Sequence, residues 1–352
     1  MDYNSILKLP LPHPIETLKA QVEALKAHEV IPAEYHENLV RYDTDYGDLS
    51  IEVTNDGWSI KIIGTNENGL EILKNFIIEH ILEHYPNIPE EILQWQGYES
   101  DTGYPSNFRL VEIIEKKLID PNMIRLTVKG NHLASYAENG LHFQLLIPSN
   151  EKLPAIWPTK KTSGKIHYPI ANNGNEQGLD RRVYTIRQIR VEQNEFDFDV
   201  LRHAGGIASD WAENVSIGDK IGILGPSGGH YPEANWLMLA GDETALPAIA
   251  RILENCPKDT TGEAIISLKD VEKWTIQLNK PDGINIQWLD HSKGNMIDTI
   301  KALGMPENQS AYFWFGGESE TAADLRKYFK HELGLSSKQY YSSAYWLSTS
   351  NT

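Results

Sequence analysis

The chain from about residue 233 onwards repeats one pattern that sets its fold class. An apolar run, Trp236–Ala240, ends in a Gly-Asp-Glu-Thr turn and is followed by a helical pattern over about 245–255. A second apolar run, YFWFGG, ends at Gly316-Gly317 and leads into another helical stretch. Strands that alternate with helices predict a parallel sheet with helical crossovers. We therefore expect an α/β domain over 233–352.

The two preceding blocks have different patterns. Short strands separated by turn residues over 106–232 predict an antiparallel β-barrel, interrupted by a long irregular segment at about 149–180. Residues 1–98 combine amphipathic helical stretches with a hairpin around Asn-Asp-Gly, which indicates a small α+β domain. The polar stretch 96–107 is the expected linker. The predicted fold class is thus multidomain, α+β and α/β, with a small α+β domain, a barrel and a parallel-sheet domain.

Charge and cysteine content restrict the partners. The 49 acidic and 32 basic residues give a net charge of −17, whereas nucleic acid or an anionic membrane requires a basic face. We expect neither as a partner, but a small anionic ligand needs only a local pocket. The single cysteine, Cys256, excludes an intrachain disulfide and a thiolate-bound zinc or iron–sulfur cluster. With no long apolar run or signal-peptide pattern, we expect a cytoplasmic monomer.

The stretch RRVYTIR at 181–187 is locally cationic and aromatic. In a strand, Arg182 and Tyr184 share a face and Thr185 points to the other. A tyrosine can stack on a planar ring while a neighbouring guanidinium binds phosphate, and a flavin nucleotide offers both groups. The strand taken alone nevertheless favours the alternative, a surface strand with solvated arginines and a core tyrosine.

Two kinds of glycine-containing turn are candidates for binding a nucleotide. Gly205-Gly206 precedes Ala208-Ser209 at a predicted helix start, where backbone amides can approach a diphosphate. After the first apolar strand, Asp242 and Thr244 can cap the helix that starts at Ala245. Ligands of α/β sheets bind where strands end. The turn matches neither the dinucleotide glycine fingerprint nor a Walker loop.

One histidine pair has a spacing compatible with a metal site. His80 and His84 lie four residues apart in a helical stretch. Without a further ligand this pattern is more typical of a solvated helix face. We expect no protein-bound metal.

Together, several ordered motifs resemble the siderophore-interacting protein family, which comprises flavin-dependent ferric-siderophore reductases related to ferredoxin–NADP reductase. The resemblance covers about 106–347, and residues 1–98 are similar to a small domain of unknown function found alongside such reductases. The motifs are WPT (157–159), R-x-Y-T-x-R (182–187), the segment from His203 to Ala212, GDETALPAIARILE (241–254), WFGGES (314–319) and AYW (344–346).

The resemblance implies a barrel that binds FAD, an α/β domain that receives NADH or NADPH, and a ferric siderophore as substrate. It implies that Tyr184 stacks on the isoalloxazine and that Thr185 lies near its reactive N5 edge. The implied flavin-binding residues are Arg182, Tyr184, Thr185, Arg187, Asp199, His203, Ala208, Ser209 and Trp211. The implied nicotinamide-side residues are Asp242, Glu243, Thr244, Ala245, Gly317 and Glu318.

Two departures from the family pattern leave details open. Ile207 replaces a proline that is frequent in the flavin turn, and Leu347 replaces a common arginine, so NADH and NADPH both remain candidates. Lys160, Lys161 and Lys165, with His167, form a basic patch that attracts an anionic siderophore or is simply a solvated loop.

Two other functions fit the same residues. One is a general NAD(P)H:flavin oxidoreductase with another acceptor. The other is a non-catalytic siderophore-binding protein.

Overall fold

A computed structural model describes residues 2–27, 30–99, 103–138, 140–150, 152–170, 177–229, 231–291, 294–304, 306 and 310–348. The chain forms two compact units, Met1–Phe108 with Pro148–Leu179, and Arg109–Ile147 with Asp180–Thr352. Each unit is considered by itself. Across the described ranges, every helix is too short or too polar to span a membrane.

The first unit contains an antiparallel sheet and two helices. Its elements are β1 (Asn4–Pro10), α1 (Pro14–Ala27), β2 (Glu34–His36), β3 (Leu39–Thr44), β4 (Gly47–Thr54), β5 (Gly57–Gly64), α2 (Glu67–His84) and β6 (Trp95–Gly97). The sheet order is β2-β3-β4-β5-β1-β6. Strand β1 buries every second residue, as expected for a sheet covered on one face. The predicted Asn-Asp-Gly turn joins β4 to β5, where Thr54 pairs with Gly57.

The segment Pro148–Leu179 packs in this first unit. It carries a short hairpin, β10 (Thr159–Lys160) and β11 (Ile166–His167). The Ser163 hydroxyl donates to Glu90 at 2.7 Å, and the Trp95 indole donates to the Ser163 carbonyl at 2.7 Å. The sequence predicted that this segment is an irregular insertion in the barrel. Its packing in the first unit was not predictable from the sequence, because these partners lie more than 60 residues away along the chain. Residues 151 and 171–176 of the predicted segment lie outside the described residues.

The second unit begins with an antiparallel sheet. Its elements are β7 (Phe108–Asp120), β8 (Met123–Lys129), α3 (Ser135–Glu138), β9 (His142–Pro148), β12 (Leu179–Thr185), β13 (Gln188–Arg190), β14 (Glu195–Leu201), α4 (Ile207–Asn214) and β15 (Lys220–Ser227). The order is β12-β9-β15-β7-β8-β14-β13. Only residues 186–187 separate the two outer strands, so the sheet curls towards closure as a barrel. Phe143, Phe196 and Phe198 fill its interior.

The same unit ends with a parallel sheet, as the alternating pattern predicts. Its elements are β16 (Trp236–Gly241), α5 (Leu246–Asn255), β17 (Thr261–Leu268), β18 (Ile284–Asp290), α6 (Met296–Leu303), β19 (Ala311–Glu318), α7 (Ser319–Lys327) and β20 (Tyr340–Trp346). The order is β18-β17-β16-β19-β20, with every described pairing parallel. Helices cover both faces, so Leu239 enters one core and its neighbour Ala240 the other.

Candidate functional site

A cavity of about 750 Å³ opens in the second unit between the barrel and the parallel sheet. Its volume lies within the range of about 300–1,000 Å³ typical of ligand sites. Four chain segments meet there: strand β12, the turn before α4, the turn after β16, and the end of β20. The lining residues used below are His142, Arg181, Arg182, Val183, Tyr184, Thr185, Asp199, His203, Gly206, Ile207, Ala208, Glu243, Thr244, Tyr345, Trp346 and Leu347.

Strand β12 brings the predicted flavin residues to this cavity. The Tyr184 ring packs against Phe198, with 5.7 Å between ring centroids, and burial raises the pKa of Tyr184 to about 12. Its hydroxyl is therefore neutral at physiological pH. Arg182 and Tyr184 line the cavity, and so do Arg181, Val183 and Thr185. The predicted division into one face with Arg182 and Tyr184 and another with Thr185 is therefore not seen at this cavity.

A buried histidine links Thr185 to the last strand. The Thr185 hydroxyl lies 3.3 Å from His142 Nδ1, and the Tyr345 hydroxyl lies 3.0 Å from His142 Nε2. Burial, helped by the nearby Arg251 charge, lowers the pKa of His142 to about 4. The neutral ring donates one hydrogen bond and accepts another, which ties the two hydroxyls together. Sequence reasoning missed His142, because a single histidine inside an apolar strand pattern carries no local signal.

The turn before α4 suits a diphosphate. Gly206 is the N-cap of the eight-residue helix, and no described side chain caps it. Gly206, Ile207 and Ala208 line the cavity, and the first-turn amides of a helix without a side-chain cap can donate to an anion. A Cβ at Gly206 would overlap the His203 ring, so glycine lets the imidazole lie against this turn. These features fit the phosphate portion of FAD.

Two other members of the predicted helix segment lie behind the cavity wall. Ser209 is buried, and its hydroxyl accepts a hydrogen bond of 3.0 Å from the His203 backbone N–H. Ser209 and Trp211 are not among the described residues that line the cavity. In this arrangement Ser209 holds the turn in place, and its predicted direct contact with the diphosphate stays a prediction.

Arg187 and Asp199 have protein partners. The Arg187 guanidinium donates to both oxygens of Glu254 at 2.6 and 2.7 Å, which ties the barrel to α5. Asp199 lines the cavity, but both its oxygens accept from Arg125 at 2.7 and 2.8 Å. These charge-assisted pairs satisfy both groups. A cofactor contact by either residue stays a prediction, and Arg187 is not among the described lining residues.

The turn after β16 is organised by Asp242. Its Oδ1 accepts from the Thr244 backbone N–H at 2.9 Å, and its Oδ2 accepts from the Trp346 indole at 2.7 Å. A Cβ at Gly317 would come within 2.8 Å of this carboxylate, so glycine gives it room. The turn after β16, at Asp242, and the end of β19, at Gly317, therefore lie next to each other, as the sequence predicted. Sequence reasoning did not anticipate that Trp346 would join them.

The other sheet-edge candidates divide into two groups. Glu243 and Thr244 line the cavity, and Glu243 accepts a hydrogen bond from the Lys269 backbone N–H. Ala245 is the N-cap of α5, which begins at Leu246, and Glu318 caps α7 by accepting from Thr321 N–H at 2.9 Å. Glu243 and Thr244 thus lie in the cavity wall, while Ala245 and Glu318 shape the helix starts; a nucleotide contact by any of the four stays a prediction.

The three candidate substrate lysines lie in the first unit. The Lys160 ammonium is 2.6 Å from Glu71, and the Lys161 ammonium is 3.3 Å from Glu90. Opposite charges at these distances cancel much of the positive potential that the sequence suggested. The role of Lys160, Lys161 and Lys165 in substrate attraction stays a prediction.

A barrel and the edge of a parallel sheet that share one cavity, with an uncapped helix start in its wall, fit a nucleotide-binding oxidoreductase. Two family profiles match the chain: the siderophore-interacting FAD-binding domain over residues 112–230 and the siderophore-interacting protein over residues 234–349.

Known proteins agree with these matches. The ferric vibriobactin reductase ViuB of Vibrio cholerae is 29% identical over 269 residues, covering 70% of this chain and 91% of ViuB. An uncharacterized protein of Mycobacterium tuberculosis is 30% identical over 257 residues, covering 67% of this chain and 88% of its own. The crystal structure of a siderophore utilization protein from T. fusca has a TM-score of 0.57 and 27% identity, covering 70% and 95% of the two chains. The chain belongs to the siderophore-interacting protein family, which confirms the resemblance.

Proposed function

We propose that this protein is an FAD-dependent oxidoreductase that uses NADH or NADPH to reduce the ferric ion of a siderophore. One observation carries the proposal: the cationic aromatic strand β12 and the sheet-edge turn with Glu243 and Thr244 line the same cavity. The chain's membership of a family that includes a ferric vibriobactin reductase supports this substrate class.

The barrel supplies the groups that would hold FAD. Bound there, FAD would accept a hydride from the nicotinamide and supply single electrons to ferric iron. Arg182, in the cavity wall, would bind the phosphate side, and the amides at the start of α4 would bind the second phosphate. Tyr184 would stack its neutral ring on the isoalloxazine, and the Thr185 hydroxyl, held by His142, would lie near the reactive edge.

The parallel sheet supplies the nicotinamide side. Glu243 and Thr244 face the cavity from the end of β16, where nucleotides of α/β domains bind. The Asp242 carboxylate, held by Thr244 and Trp346, fixes the turn that presents them. We infer that this turn positions the nicotinamide ring, whichever of the two dinucleotides is used.

The rim of the cavity favours a substrate with both apolar and anionic parts. Val183, Ile207 and Leu347 line it and are 65%, 43% and 75% exposed, and Arg181 and Arg182 lie beside them. Siderophore donors are hard oxygens that prefer the ferric ion, so reduction weakens the complex and releases ferrous iron. The protein then needs to hold the ligand shell near the flavin rather than bind the iron in the cavity.

Compartment, oligomeric state and domain bounds complete the proposal. We place the reaction in the cytoplasm, where reducing conditions keep a thiol such as that of Cys256 free. We propose a monomer whose flavin domain spans 106–232 and whose nicotinamide domain spans 233–352. Residues 1–98 form the third domain, with which the segment Pro148–Leu179 packs.

A comparison of acceptors tests the proposal. NAD(P)H oxidation by the FAD-loaded protein is measured with a ferric siderophore, free FMN and a ferredoxin-type protein as acceptors. Faster turnover with the ferric siderophore supports the proposal, whereas faster turnover with FMN or the protein favours a general flavin reductase.

Two arginine variants test the assigned site in the same assay. Arg182→Gln is expected to weaken FAD binding by about tenfold or more, the value of a lost charge-assisted contact. Arg202→Gln is the control, because that guanidinium is held by Glu213 at 2.9 Å and is not among the described cavity residues. Equal FAD affinity in both variants would contradict the placement of FAD.

A further inference from the structure

The last turn of α2, in the first unit, carries a cluster that the proposed function does not use. His80, Glu83 and His84 lie on one side of this helix, and their ligand-type atoms are all within 4.8 Å of one another. Positions i, i+3 and i+4 are neighbours on a helix surface. The sequence interpretation considered the two histidines alone, but Glu83 between them supplies a third donor.

The cluster borders the side of α2 that packs in the core, since the buried Ile77 and Ile81 lie three residues before His80 and His84. Leu73, Ile77 and Ile81 are buried. The His80 ring lies edge-on to Phe76, with 4.5 Å between centroids, and is 15% exposed. Glu83 is 69% exposed, so its carboxylate can rotate freely. The cluster therefore combines one anchored imidazole with two solvent-facing donors.

One hydrogen bond sets the tautomer of His84. Its Nδ1 lies 3.0 Å from the His80 backbone carbonyl. A carbonyl oxygen only accepts, so Nδ1 carries the hydrogen and Nε2 presents its lone pair. Metal-bound histidines characteristically donate their other ring N–H to such a carbonyl. His84 is thus already in the tautomer that a ligand at Nε2 requires.

The surroundings favour a cation. The cluster lies at the carboxyl end of an 18-residue helix, where the dipole is negative. His80 Nδ1 and Glu83 Oε2 are 3.8 Å apart. Donors around a first-row ion lie about 2.0–2.2 Å from it, so the exposed Glu83 and His84 side chains must turn towards the less exposed His80 ring to close the site.

We propose that His80, Glu83 and His84 form a binding site for a divalent first-row transition ion, and that it takes up the ferrous ion produced by the reductase. Two imidazoles and one carboxylate with open positions suit Fe²⁺, Co²⁺ or Zn²⁺, whereas Mg²⁺ and Ca²⁺ prefer oxygen ligands alone. The choice of Fe²⁺ as the ion rests on the proposed function; the site itself does not.

The geometry points to binding rather than hydrolysis. His-x-x-Glu-His spacing also occurs in a class of zinc peptidases, in which the glutamate acts on a substrate. Here Glu83 is exposed on a helix surface, and the cluster lies outside the cavity described above. Metal retention is the chemistry that such an open face can perform.

Titration of the full-length protein with Co²⁺ tests the site. Co²⁺ is a spectroscopic substitute, and its binding needs neither flavin nor turnover. Wild type is expected to bind at this site with an affinity that falls by about tenfold or more in His84→Ala and in Glu83→Gln. His36→Ala is the matched control, because His36 is an exposed histidine 3.0 Å from Glu34 but without a second imidazole. Wild-type affinity in His84→Ala and Glu83→Gln, or no binding by wild type, would overturn the proposal.

An anaerobic Fe²⁺ titration of the same variants tests the identity of the ion. Fe²⁺ retained through gel filtration by wild type and by His36→Ala, but not by His84→Ala, is the expected result. Co²⁺ binding without Fe²⁺ retention would overturn the assignment of the ferrous ion. Ferric-siderophore reduction by His84→Ala is measured separately, so failure of the metal site and failure of the reductase activity are distinct results. Circular dichroism of each variant verifies that α2 remains folded.

Discussion

His142 makes the stability of the second unit depend on pH in a way that can be calculated. Burial lowers its pKa from 6.5 to about 4, and each pKa unit corresponds to about 1.4 kcal/mol, so the full effect is about 3 kcal/mol. Because the unfolded chain binds the proton more readily, the folded state loses this stability as pH falls from about 6.5 to about 4. At pH 5 about 2 kcal/mol is already lost.

Urea unfolding of wild type and His142→Gln at a series of pH values measures this effect. Glutamine keeps hydrogen-bonding groups but does not titrate, so the difference in unfolding free energy between the two proteins is expected to change by about 2 kcal/mol between pH 7 and pH 5. Tyr345→Phe is the control: it removes the hydroxyl partner, lowers stability by about 1 kcal/mol at every pH and keeps the wild-type slope. If the unfolding free energies of wild type and His142→Gln changed in parallel with pH, the conclusion that the buried His142 imidazole is neutral would be refuted.

Four further substitutions follow from other contacts. Glu254→Gln is expected to lower the unfolding free energy by about 1–3 kcal/mol in urea titrations while FAD affinity is kept. Arg187→Ala should lower both quantities, and unchanged FAD affinity there would remove Arg187 from the flavin site. Gly206→Ala forces a Cβ onto the His203 imidazole. We expect FAD affinity to fall and the unfolding free energy in urea to fall by about 1–3 kcal/mol; wild-type values of both would contradict the turn geometry. Lys160→Met leaves the Glu71 carboxylate without its ammonium partner, and we expect a loss of about 3 kcal/mol in the first unit by urea unfolding; a neutral effect would show that the pair is solvated.

Regular patterns in the sequence predicted the regular parts of the fold. The alternation of apolar strands and helices after residue 235 predicted the parallel sheet, and β16 and α5 fall within one residue of their predicted bounds. The family, the enzyme class and the FAD cofactor are confirmed by the comparisons. Arg182 and Tyr184 both line the cavity, but so do Arg181, Val183 and Thr185, so the two-residue period of a strand did not separate binding from non-binding positions here.

Contacts between distant segments were not predictable from those patterns. The family resemblance assigned Arg187 to the flavin site, and nothing local in the sequence reveals that Glu254, 67 residues later, meets its guanidinium. His142 and Tyr345 are separated by 203 residues, and their pairing depends on how the barrel packs against β20. Lys160 finds Glu71 across 89 residues, so a segment that looked like a loop of the barrel packs with the first unit.

A single-turnover experiment in the absence of oxygen tests the reductase assignment most directly. The protein is loaded with FAD, and unbound FAD is removed. The flavin absorbance at about 450 nm is then followed as one equivalent of NAD(P)H, and after it a ferric siderophore, are added in the presence of a ferrous chelator. The account predicts that the absorbance bleaches with the nicotinamide and returns with the ferric siderophore, while the ferrous chelate appears. A protein that stays colourless with FAD, or a bleached flavin that the ferric siderophore does not reoxidise, would contradict it.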